Sequence, residues 1–326
     1  MRIVVDALGG DNAPAAVLEG VSLALAADPG LQVILTGPAE IVEPFSGDKP
    51  DRLEAVATTE AIGMDEHPAE AVRQKKDSSI VVGCRLVAEG RAAGFFSAGS
   101  TGAVMAAATL YMGRIKGVSR PMIATLFPVP QGYMVFGDIG ANADVKAEYL
   151  LQFAQMGASY AQVMLGIENP RVGLLNIGEE PTKGNELAQQ AYQLLSLGLD
   201  GFAGNAEGTD ILSGRFDVII TDGFTGNVVL KTIEGTAGML FSELSGILNA
   251  GVLSKLAAAV VRPGLRELKK KLSADEIGGA PLLGVRGSCV IGHGSSSPKA
   301  ILNGIMATAQ AVRSELPQII AKAVGE

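Results

Sequence analysis

One pattern recurs along this chain and leaves little freedom in how it folds: a short apolar run ends in a glycine-rich polar turn, which leads straight into residues with helical spacing. Residues 3–5, the turn DALGGDNAP and then Val17, Leu18, Val21 and Leu25 are the first instance. Residues 94–97, the turn SAGSTGA and an apolar helix over 104–112 are another. Residues 171–186, RVGLLNIGEEPTKGNE, hold the pattern in its most compressed form. Val172, Leu174, Leu175 and Ile177 read as a strand buried on both faces, Asn176 and Gly178 open the turn, and a helix starts near Gly184. Lys183 sits just before the bare amide N–H groups of that helix. A cation beside such amides suits a phosphate or a transition state gaining negative charge, against the plainer reading of a solvated loop lysine.

The same reading places strands at 31–35, 53–57, 201–205, 217–221 and 289–291, with 122–127 and 133–136 joined as a hairpin by Pro128-Val129-Pro130-Gln131-Gly132. Strands that alternate with helices imply an α/β fold: a doubly wound, mostly parallel sheet with some antiparallel strands, as one extended domain over 1–326 or two lobes. Ligands bind outside the carboxyl ends of strands in such sheets, so the polar ends are expected on one rim. They supply Asp6, Gly9, Gly10 and Asp11; Ser97, Gly99, Ser100, Thr101 and Gly102; Asp138 and Asn142; Asn185; Asp222, Gly223 and Asn227; and His293, Ser295 and Ser296. Turn chemistry and helix capping compete for every one of these residues. No G-x-G-x-x-G and no G-x-x-x-x-G-K-[ST] occurs, which counts against a nicotinamide dehydrogenase or a P-loop ATPase.

Composition narrows the function further. At 326 residues and a mean hydropathy of +0.30 the chain can bury a large core. Apolar runs stop well short of a bilayer span, and Met1-Arg2 leads directly into strand residues, so a cytosolic protein without a signal peptide is expected. Cys84, Cys289, His67 and His293 have no metal-ligand spacing; neither a metal nor a cofactor is expected, and both thiols read as buried and reduced. The net charge of −8 argues against nucleic acid as a partner. Residues 251–272 stand apart, with six basic residues and one acid for a net +5, leaving −13 for the rest. Leu253, Leu256 and Val260 share one helical face and Leu265, Leu268 and Leu272 another, and Pro263-Gly264 is expected to bend the segment into a projecting helical hairpin. Its apolar and basic groups, including Arg262, Arg266, Lys269 and Lys270, suit an anionic membrane surface, an acidic protein or a second copy of the chain.

Taken in order, VDALGGDNAP, SAGSTGA, DIGAN, RVGLLNIGEEPTKGNE, TDGFTGN and GHGSSS resemble the bacterial phosphate acyltransferase family of phospholipid synthesis, over nearly the whole chain. Asn12 and Ser100 depart from the usual His and Asn of that family. The resemblance implies transfer of a long-chain acyl group from acyl carrier protein to inorganic phosphate, a fold similar to isopropylmalate and isocitrate dehydrogenases, and a homodimer in peripheral contact with the inner face of the cell membrane. Phosphate is largely dianionic at neutral pH and a thiolate leaves readily, so positioning and an oxyanion pocket suffice. On this reading Lys183 serves phosphate and developing charge, Asn227 the thioester oxygen, and His293 proton transfer or phosphate orientation. A phosphotransacetylase acting on short acyl-CoA and a non-catalytic membrane-surface scaffold are the competing functions.

Overall fold

Alternate residues of the first strand, β1 (Arg2–Asp6), enter different cores: Ile3 and Val5 pack on one side of the sheet and Val4 on the other. Both faces are therefore covered, and this is why the strands read as continuous apolar runs. The computed structural model describes residues 1–47, 49, 51–271 and 274–325. After β1 come α1 (Ala15–Ala27), β2 (Gln32–Gly37), α2 (Ala39–Gly47), β3 (Leu53–Ala57), α3 (Pro68–Gln74), α4 (Ser79–Ala88) and β4 (Gly94–Ser97). β4 feeds α5 (Thr101–Ala107), which continues as a π-helical turn over Ala108–Met112. The middle of the chain forms β5 (Met122–Val129), β6 (Gly132–Gly137), α6 (Ala147–Leu165), β7 (Val172–Leu175), α7 (Glu186–Gly198), β8 (Phe202–Ala206) and β9 (Val218–Ile220). Two long helices, α8 (Gly223–Asn249) and α9 (Val252–Lys271), precede α10 (Ala274–Ile277), β10 (Ala280–Leu283), β11 (Ser288–Ile291), α11 (Pro298–Arg313) and α12 (Leu316–Gly325).

The strands form one sheet in the order β3-β2-β1-β4-β11-β10-β5-β6-β9-β7-β8. The first five run parallel, and so do the last four. Between them β10 is antiparallel to both β11 and β5, and β5 is antiparallel to β6, so the two parallel blocks point in opposite directions. The long strand β5 sets their stagger. Its first two residues pair with β10, Leu282 opposite Ile123, while Ala124 onward pairs with β6, Gly137 opposite Ala124. Because β11 ends at Ile291 opposite Ala280, the carboxyl ends of β11 and β6 stop within about one residue, ~3 Å, of the same level. The polar strand ends thus do not share one rim, as expected from a uniformly parallel sheet; they form two rims that face each other.

Two other expectations need correction. The described residues of this segment, 251–271, do not bend into a hairpin about Pro263-Gly264. Pro263 lies inside the single helix α9, and the reversal falls at Ala250-Gly251, so the hairpin is α8 against α9. A proline removes one N–H and crowds the carbonyl four residues back, which weakens a helix locally; reversing the chain needs residues that leave the helix. Ile177 is not in β7 but in the turn after it, 80% exposed. Val260, Arg262 and Arg266 are exposed on α9, while the side chains of Leu253, Leu256, Lys269 and Lys270, and Leu272 entirely, lie outside the described residues. Among the described residues no helix is long and apolar enough to cross a membrane.

Candidate active site

On the rim of the first block, three turns are packed backbone against backbone. A Cβ at Gly9 would lie 2.7 Å from the Ala98 amide nitrogen, and one at Gly10, where φ is +102°, would lie 2.8 Å from the Gly294 carbonyl. Only glycine permits that approach. The Asp11 N–H donates to the Gly294 carbonyl at 2.7 Å, and the Gly292 N–H to that of Ser97 at 2.8 Å. Beneath them the Gly99 N–H donates to Ser97 Oγ at 3.0 Å, and Ser97 Oγ donates to Asp6 Oδ2 at 2.7 Å. Burial pushes the Asp6 carboxyl up from its ordinary value, against the lowering by its hydrogen bonds. Asp6 and Ser97 are therefore the frame of this corner. Ser100 caps α5, accepting from the Ala103 N–H at 3.5 Å, and Gly102 makes room for Pro68.

The facing rim is organised by Asp138, which is fully buried and accepts from the N–H groups of Ile123, Gly140, Ala141 and Asn142 and from Asn142 Nδ2, at 2.8 to 3.2 Å. Burial raises its carboxyl while these donors oppose the rise. Asn142 Nδ2 also donates to the Pro121 carbonyl at 2.8 Å. The start of α8 presses onto this turn. The Gly223 N–H donates to the Asn142 carbonyl at 2.7 Å, Asp222 caps α8 through the Thr225 N–H at 2.8 Å, and a Cβ at Gly226 would overlap the Asp138 carbonyl oxygen. Asp138, Asn142, Asp222 and Gly223 are frame residues too.

Between the rims lies a cavity of ≈ 600 Å³. Asp11, Gly99, Thr101, His293, Ser295 and Ser296 line it from the first block, and Gly140, Asn227, Leu230 and Lys231 from the second. Ile123, Ile139, Ile277, Ile291 and Leu230 give it an apolar wall. The Ser295 N–H donates to His293 Nδ1 at 3.2 Å, and Ser295 Oγ is 2.8 Å from the same nitrogen. An Nδ1 that accepts leaves the proton of the neutral ring on Nε2. Of the three residues expected to act together, Asn227 and His293 share this cavity and Lys183 is not among its lining residues. Lys183 is half-exposed beyond β7, two strands from β6 or about 10 Å across the sheet, with Nζ 3.9 Å from Glu180 Oε2. Asn185 beside it caps α7, accepting from the Ala188 N–H at 2.9 Å.

The cationic side chain that does line the cavity is Lys231, 2.7 Å from Glu234 and one helical turn after Asn227. The i, i+4 spacing of Asn227 and Lys231 is the sequence signal for this lysine, since it puts both side chains on one helix face. Cys84 and Cys289 are free and buried, and burial pushes the Cys289 thiol up to about 12, so neither is poised as a nucleophile.

A family model described as "Fatty acid synthesis protein" matches residues 1–319. A phosphate acyltransferase of Desulfitobacterium hafniense is 51% identical over 325 residues, covering 99% of this chain and 97% of that protein. The chain belongs to the phosphate acyltransferase family. Its fold is shared more widely. A phosphotransacetylase from Streptococcus pyogenes superposes with a TM-score of 0.63 at 18% identity, covering 97% of this chain and 94% of that one. A 4-hydroxythreonine-4-phosphate dehydrogenase from Klebsiella pneumoniae does so at 0.53 and 10%, covering 95% and 98%. At these identities the likeness speaks for the fold, which agrees with the dehydrogenase-like sheet that the family resemblance implies.

Proposed function

We infer that the protein transfers a fatty acyl group to inorganic phosphate, giving an acyl phosphate for phospholipid synthesis. The observation that carries this reading is the joint lining of one cavity by His293 and its hydroxyl neighbours from one rim, Asn227 and Lys231 from the other, and an apolar wall between them. Phosphate is received by the first rim, where the Gly99–Thr101 turn, Ser295, Ser296 and His293 offer donors to an anion. One phosphate oxygen attacks the thioester carbonyl carbon. Negative charge grows on the carbonyl oxygen, where Asn227 Nδ2–H and the Lys231 ammonium can meet it. That attack makes the acyl–phosphate bond; collapse restores the carbonyl double bond and breaks the C–S bond, expelling a thiolate to which His293 can deliver a proton.

Acyl carrier protein is the donor on this reading, and Leu230 and the isoleucines receive the start of the chain. The apolar wall favours a long acyl group over the acetyl group of a phosphotransacetylase. The test is acyl phosphate formation from palmitoyl carrier protein compared with acetyl-CoA. Higher kcat/KM for the palmitoyl thioester is expected; a preference for acetyl-CoA sinks the assignment, and no turnover with either favours a scaffold.

The α8–α9 hairpin serves assembly and membrane contact. Met239, Leu240 and Ile247 on α8 and Val260 on α9 are more than half exposed, an apolar surface that a second copy or a lipid interface would cover. Substituting Val260→Glu is expected to weaken co-sedimentation with anionic vesicles severalfold while soluble turnover stays within about twofold. Unchanged sedimentation would remove α9 from membrane contact. The homodimer is checked by sedimentation velocity, where a monomer at micromolar concentration contradicts it.

A further inference from the structure

A second cleft, of ≈ 810 Å³, opens about one helical turn further along α5 from the cavity described above. Three arginines line it from separate places in the chain: Arg73 at the end of α3, Arg114 after the π-helical turn and Arg120 before β5. No carboxylate lines the cleft, and among the described residues none of the three arginines is in an ion pair. Val72, Met105, Ala106 and Pro121 add apolar lining, and Leu110 beside them is 54% exposed. In a chain of net charge −8, three unneutralised guanidinium groups around apolar surface form a local positive field that needs a partner.

The cleft is structurally tied to the cavity. Thr101 lines the cavity and Met105 the cleft, four residues apart on α5, which is about 6 Å along the helix. The turn held by Asp138 is shared likewise, with Gly140 on the cavity and Asn142 on the cleft. We propose that the Arg73–Arg114–Arg120 cleft docks the small acidic protein that carries the acyl group, its carboxylates meeting the arginines with an apolar side chain against Leu110, so that a flexible thioester arm runs along α5 into the cavity. The assignment rests on the acyl-transfer reading of the cavity and adds where its donor sits. Arginine forks suit carboxylates, and long-range attraction draws an acidic partner onto the surface before contact.

The experiment compares two donors bearing the same acyl group, the palmitoyl carrier protein and palmitoyl-pantetheine, in wild type and in Arg73→Glu/Arg120→Glu. KM for the carrier protein is expected to rise at least about tenfold in the double variant, with a shallower dependence of kcat/KM on salt, while pantetheine kinetics stay as in wild type. The milder Arg73→Gln should shift the carrier KM in the same direction by less. An unchanged carrier KM overturns the proposal, and so does a parallel loss on palmitoyl-pantetheine, which would place the arginines in the service of the cavity itself. A change in sedimentation coefficient or in vesicle binding without a change in carrier KM would make the cleft a subunit or lipid contact and overturn it as well. If the wild type turns over neither thioester, the acyl-transfer reading fails, and the docking assignment falls with it.

Discussion

Substituting Gly226→Ala is expected to lower the melting temperature by on the order of 8 °C or more, equivalent to about 4 kcal/mol, and to remove activity at ordinary assay temperatures. The cause is a backbone collision that no side-chain rotation relieves. The new methyl group would overlap the Asp138 carbonyl oxygen, and that residue is held in place by the N–H groups of Ile123, Gly140, Ala141 and Asn142 on its carboxylate. Relief requires α8 to lift from the turn, which moves Asn227 and Lys231 away from His293 together. Differential scanning calorimetry checks this, and a melting temperature within about 2 °C of wild type would contradict the packing described.

Substituting His293→Asn is expected to lower kcat by about 10²- to 10⁴-fold, the range for loss of a positioned acid–base group, with the melting temperature nearly unchanged. His293 is exposed and its ring contacts its own turn through Ser295, so little stability rests on it. Substituting Ser295→Ala should cost less, since it removes the hydroxyl partner of Nδ1 and leaves the Ser295 N–H donating to that nitrogen. A His293→Asn enzyme within threefold of wild-type kcat would remove the imidazole from the chemistry and leave Asn227, Lys231 and the amide turns to carry it.

Much of this architecture is legible in the sequence because strands buried on both faces print as uninterrupted apolar runs and their turns as glycines and small polar residues. What the sequence conceals has specific causes. β10 sits at the centre of the sheet, yet its four residues contain Pro281 between Gly278-Gly279 and Gly284, a composition that reads as a turn. Without β10 the reversal between the two blocks is invisible, and with it the fact that the polar strand ends face one another across a cavity. The strand-end turns mark the site residues as a set, but their local sequence does not separate frame from cavity lining. Asp6, Asp138 and Asp222 have the same local signature as Asp11, and only the fold shows the first three spending their oxygens on N–H and hydroxyl donors of the frame. The local sequence of Lys183 suits an anion site, whereas its distance from His293 is fixed by strand order, a long-range property.

In the proposed reaction phosphate is held where the two facing rims meet. A crystal of the protein soaked with inorganic phosphate tests it most directly. Density for the anion is expected within hydrogen-bonding distance of the Gly99–Thr101 turn and of His293 or Ser295. An anion bound instead beside Lys183 and the start of α7, with the cavity between the rims free of phosphate, would contradict the account.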